Sequence, residues 1–60
     1  MKLRIGDKVE WRVGVLNSVR VTGVVMDEDD FGTVTVVSHS VDGVPNNQEI
    51  LVSKKKLKLI

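Results

Sequence analysis

Val19-Arg20-Val21-Thr22-Gly23-Val24-Val25-Met26 is the stretch that decides the fold of this chain. Val19 and Val21 alternate with Arg20 and Thr22, the period of a strand with one buried face. Gly23 then interrupts before Val24-Val25-Met26. A glycine inside a strand pattern marks a bulge or a bend, the device by which one long strand turns from one part of a curved sheet into the next. Working outward, Val9, Trp11 and Val13 alternate with Lys8, Glu10 and Arg12 on one side. Val34 and Val36 alternate with Thr33 and Thr35 on the other. Apolar runs at Ile50-Leu51-Val52 and Leu57-Lys58-Leu59-Ile60 complete the set.

Strands are therefore expected near 8–13, 18–26, 33–38, 48–53 and 57–60. Composition agrees: valine dominates, alanine is absent, and leucine occurs only at Leu3, Leu16, Leu51, Leu57 and Leu59. β-branched side chains suit a pleated surface, whereas alanine is the best helix former. Residues Gly14 to Ser18 read as a short connection, Asp27-Glu28-Asp29-Asp30-Phe31-Gly32 as a polar hairpin loop, and Val41 to Asn47 as a longer loop with turns at Asp42-Gly43 and Asn46-Asn47. Ser53 to Lys56 is too short for a helix and fits a single 3-10 turn. A chain of 60 residues forms one domain, residues 1–60, near the lower size limit for folding without disulfides or metals. Closure of five short strands into a barrel removes the exposed edges that an open meander would leave.

Ile5-Gly6-Asp7-Lys8-Val9, the Gly23-Val24-Val25 bend, Gly32-Thr33-Val34-Thr35-Val36, and Ile50-Leu51-Val52 followed by Leu57-Lys58-Leu59-Ile60 together resemble the SH3-like small barrels of the KOW and Tudor kind. The resemblance spans almost the whole chain and implies an all-β, five-stranded SH3-like barrel with a 3-10 turn before the last strand. It also implies a nucleic-acid or nucleoprotein adaptor, as for the KOW barrels of ribosomal and elongation proteins. The segment between Gly14 and Gly23 lacks the Lys-Gly pair that KOW sequences often carry there. RNA contact therefore passes to other residues.

Lys54, Lys55, Lys56 and Lys58, joined by Lys2 and Arg4 if the chain ends lie side by side, form the candidate phosphate-binding cluster. The competing reading is a solvated turn whose lysines blunt an edge strand. Lys and Arg exceed Asp and Glu only by nine to eight, so any polyanion binding must come from local clustering and not from the field of the whole molecule. The partners expected are nucleic acid or an acidic protein surface. Val24-Val25, Val36-Val37 and Ile50-Leu51-Val52 place apolar side chains on both faces of their strands. An outward stripe through Val24, Val37 and Leu51 is the candidate surface for protein interaction or homo-oligomer formation.

Other chemistries are disfavoured. The chain has no cysteine and one histidine, which removes disulfides, thiolate catalysis and ordinary His/Cys zinc sites. Asp27-Glu28-Asp29-Asp30 fails the calcium-loop pattern, since Phe31 and Ser38 stand where oxygen ligands are needed. Ser38, His39, Ser40 and Asp42 hold the residue types of a hydrolase triad but are neighbours in one segment, where the three-part geometry is rarely achieved. The chain is similar in size and layout to the type II dihydrofolate reductases, whose pore is lined by a Gln-Ile-Tyr run. Ile50-Leu51-Val52 stands there instead, without the hydrogen-bonding side chains. Trp11 and Phe31 are the only aromatics, too few for an aromatic cage or a stacking groove, and Trp11 is assigned to the core. The reading is thus a non-enzymatic binding module with no cofactor, no metal, no small-molecule substrate and no membrane partner. The N-terminal residues lack the apolar core of a secretory leader, so a cytoplasmic location is the default expectation.

Overall fold

The computed structural model describes residues 3–60. Five antiparallel strands, β1 (Lys8–Val13), β2 (Val19–Glu28), β3 (Thr33–Val41), β4 (Val44–Ser53) and β5 (Lys58–Leu59), form one sheet in the order β4-β3-β2-β1-β5. A 3-10 turn at Val15–Asn17 joins β1 to β2, and a second at Lys54–Lys56 precedes β5. The all-β class, the five strands and the 3-10 turn before the last of them match the sequence reading. In a flat sheet, β4 and β5 would lie about 19 Å apart, at four inter-strand steps of about 4.8 Å. They are consecutive in the chain, joined only through Lys54–Lys56 and Leu57, and a 3-10 turn advances about 2 Å per residue. The sheet must therefore roll up so that β5 returns beside β1, with Val9 opposite Leu59 and Glu10 opposite Lys58.

The concave face carries the core: Leu3, Val9, Trp11, Val21, Val25, Val34, Val36, Val52 and Leu57, with Val19, Val41 and Ile50 packed against it. Trp11 sits opposite Val21 and is 4% exposed, which places the one large side chain among valines. The two Val-Val pairs resolve in the same sense. Val25 and Val36 face in, while Val24 and Val37 face out, directly opposite each other. Gly23 lies at a register shift between β2 and β3 and is buried, so the bend expected from the sequence is a bulge in the ladder.

Ser38 is the one buried polar side chain among the described residues. Its hydroxyl donates to Asn46 Oδ1 and accepts from the Gln48 N–H, so the cost of burying it is met locally.

The connection between β3 and β4 differs from expectation. The long loop at 41–47 is instead a two-residue turn at Asp42 (φ 51°) and Gly43 (φ 81°), flanked by strand on both sides. Positive φ at both central residues is the geometry whose twist matches that of a hairpin, and Asp-Gly supplies it readily. Pro45 and Asn46-Asn47, turn residues on local propensity, lie in β4. Proline is tolerated there because β4 is an edge strand.

The acidic hairpin loop has a structural task. Asp29 Oδ1 accepts hydrogen bonds from the N–H groups of Phe31 (2.8 Å) and Thr33 (2.9 Å), closing the turn between β2 and β3. Asp29→Ala should lower stability by about 1 kcal/mol in urea denaturation. Asp30→Ala should leave the midpoint nearly unchanged, because the Asp30 side chain makes no such bond among the described residues. An equal loss at both positions would contradict this role.

Candidate nucleic-acid interface

The convex face is set by the polar positions of the strands. Opposite residues in an antiparallel ladder project to the same side, so each cross-strand row can be read from the register. One row runs Lys58, Glu10, Thr22, Ser40. The row beside it places Arg12 opposite Arg20. Arg20 Nε donates to Glu10 Oε2, and the Thr22 and Ser40 hydroxyls hydrogen-bond at 2.7 Å. A shallow open depression lies at this end of the sheet, lined by Glu10, Trp11, Arg12, Asn17, Lys56 and Lys58. Trp11 also lines it but, at 4% exposed, has too little accessible area to act as a stacking platform.

Three cations, Arg12, Lys56 and Lys58, thus line the depression together with one carboxylate, Glu10, which is held by Arg20 beside it. Two like charges directly opposite each other, as with Arg12 and Arg20, are unfavourable in a sheet without a counter-charge. Glu10 relieves part of that repulsion and leaves Arg12, Lys56 and Lys58 without a carboxylate partner among the described residues. The carboxylates Asp27, Glu28, Asp29 and Asp30 lie at the far end of β2, roughly 25 Å from Arg20 along the strand at about 3.3 Å per residue. A formal net charge of +1 therefore conceals an uneven distribution, with four cations gathered near one end, where Asp42 also lies beside Arg20, and four carboxylates near the other.

The lysine cluster read from the sequence divides between these ends. Lys56 and Lys58 join the basic depression. Lys54 is half-buried and its Nζ pairs with Glu28 Oε1 at 2.7 Å, and Lys55 lies with Lys54 beside the exposed Phe31. Arg4 is exposed in the turn that precedes β1, where its N–H bonds to the Asp7 carboxylate, and it does not line the depression. Lys2 lies outside the described residues. Arg12 and Arg20 escape a reading of the basic run as a stretch of sequence, because such a reading gives weight to chain neighbours. The alternation Lys8-x-Glu10-x-Arg12 contains the signal, since its polar positions must share one face.

The apolar candidates are also placed. Val24 and Val37 form a half-buried cross-strand pair flanked by Lys8 and Glu49, and Leu51, 70% exposed, lies diagonally beside Val37 on β4. The three outward residues named from the sequence therefore form one contiguous patch that reaches the sheet edge. His39 is exposed at the register shift between β3 and β4, near Lys8, Thr22 and Ile60, apart from Ser38 in the core. Among the described residues no group of three or more acidic, histidine or cysteine side chains converges as metal ligands would. Among the same residues, no helix is long and apolar enough to cross a membrane. Compared with known protein families, curated proteins and solved structures, the chain matches none of them.

Proposed function

We propose that this domain is a non-enzymatic binding module that holds the phosphate backbone of a nucleic acid on the basic end of its convex face. The observation that carries this reading is the depression in which Arg12, Lys56 and Lys58 converge with no carboxylate of their own among the described residues, beside the Arg20–Glu10 pair. Cations in that state are available to displace counterions from a polyanion, which is the main source of sequence-independent affinity. Pairing of β1 with β5 sets the backbone of Arg12 diagonally beside that of Lys58. The acidic far end repels the same ligand and so orients its approach. Contacts of this kind position a backbone and do not read bases, so affinity should be weak and tolerant of sequence. The resemblance to KOW-type SH3-like barrels agrees with this reading.

The test is the salt dependence of binding to a short DNA duplex. If Arg12, Lys56 and Lys58 each neutralise one phosphate, replacing all three with Gln should make the slope of log K against log salt shallower by about 2.7. Lys54→Gln with Lys55→Gln should leave the slope nearly unchanged, since those lysines belong to the acidic end. Equal slopes for the wild-type and triple-variant proteins would remove the depression as the site.

A further inference from the structure

The two edges of the sheet are not alike. β5 is short, with Lys58 and Leu59 only, and its lysine discourages pairing with another strand. β4 spans Val44–Ser53 and has none of that protection over its second half, where Glu49 is the one charge and Pro45 lies far back near the turn. Two observations fix which backbone groups of β4 are free. Lys54 N–H donates to the Gly32 carbonyl, and the Gln48 N–H and carbonyl both point at Ser38 on β3. The register between them is regular, from Ser38 opposite Gln48 to Thr33 opposite Ser53. Backbone direction alternates along a strand, so the N–H and C=O groups of Gln48, Ile50 and Val52 face β3, and those of Glu49 and Leu51, with the N–H of Ser53, face away from the sheet. None of these outward groups has another backbone partner among the described residues.

We propose that β4 pairs antiparallel with β4 of a second copy of this chain, on a two-fold axis at Leu51. Centring at Leu51 makes its N–H and C=O bond reciprocally to those of the partner's Leu51, and directs the Ser53 N–H to the carbonyl of the partner's Glu49. The exposed Leu51 side chain then covers its own symmetry mate beside the outward Val24–Val37 pair. Centring at Glu49 instead would set two carboxylates face to face. Of these two registers, charge and apolar area both favour the one centred at Leu51. The interface is self-complementary, as a two-fold contact requires. It leaves the basic depression on β1 and β5 uncovered, so the two proposals stand or fall separately.

Sedimentation velocity on the full chain from micromolar to millimolar concentration tests this. Wild type should pass from monomer to dimer with rising concentration. Leu51→Pro removes only an outward N–H, so it should keep the monomer's far-UV circular dichroism and abolish dimerisation. Leu51→Asp alone and Leu51→Lys alone should each weaken the dimer about tenfold, since each sets two like charges face to face on the axis at an exposed position. An equimolar mixture of the two should recover it as a mixed dimer, which a mere effect on folding would not do. A wild type that stays monomeric throughout would overturn the proposal and leave the edge to a strand of some other protein. So would a mixture of the two charged variants that fails to recover, and this arm decides the matter even if Leu51→Pro does not fold.

Discussion

Trp11→Ala should leave most of the chain unfolded at 25 °C. A single hydrophobic core in a domain this small, without disulfides or metals, rarely supplies more than about 3–5 kcal/mol. Removing a buried tryptophan costs about 3–5 kcal/mol, through lost transfer energy and the cavity left behind. The neighbours cannot close that cavity, because Val9, Val21, Val25 and Val36 are short, stiff at χ1 and fixed on strands. Amide dispersion in a proton–nitrogen correlation spectrum should collapse. Trp11→Phe should retain the fold with a melting temperature lowered by about 5–15 °C, at roughly 4–8 °C per kcal/mol for a domain of this size. A Trp11→Ala protein that melts within a few degrees of wild type would show that the core is organised around something else.

Gly23→Ala should be nearly as damaging, although it adds one methyl group. A Cβ at that position would approach the Val37 carbonyl oxygen to 2.5 Å, Val36 Cγ1 to 2.8 Å and the Ser38 Cα to 3.1 Å. Two of these are backbone atoms of the paired strand, so no rotamer change relieves the contact and the ladder itself must move. Overpacking of this kind costs about 1–3 kcal/mol, and loss of register around the Ser38–Asn46 bond adds to it. Gly32 provides the contrast. Its φ is +86° and a methyl group there would meet nothing within 4 Å, so Gly32→Ala bears only the left-handed backbone cost of about 1–2 kcal/mol. Urea midpoints should therefore fall further for Gly23→Ala than for Gly32→Ala. The reverse order would contradict the bulge as the tight point of the fold.

Much of this fold is legible in the sequence because period-two alternation and the Gly23 interruption both report on the same physical fact, a strand with one buried face that must bend. Trp11 in register with Val9 and Val13 is assigned to the core for that reason. The β3–β4 turn is not legible in the same way. Pro45, Asn46 and Asn47 count against a strand on local propensity, and what overrides them is tertiary: an edge position that needs no outward N–H from proline, and a buried Ser38 hydroxyl that recruits Asn46. The candidate site is half legible. A run such as Lys54-Lys55-Lys56 looks like one patch, but successive residues of a 3-10 turn point about a third of a turn apart. Lys54 meets Glu28, and Lys56 shares the depression with Arg12. Leu16 and Phe31, 94% and 93% exposed, show the converse, since apolar character alone does not place them in the core.

The most direct test of the binding proposal is a titration of isotopically labelled protein with a short mixed-sequence DNA duplex and with an RNA strand, at low and at moderate salt, following backbone amide shifts. Shifts should gather at Arg12, Asn17, Arg20, Lys56 and Lys58 and fade as salt rises, with Asp27 to Gly32 and Lys54 unmoved. Silence at both salts, or shifts centred on Phe31, Lys54 and Lys55, would contradict phosphate binding at the basic end.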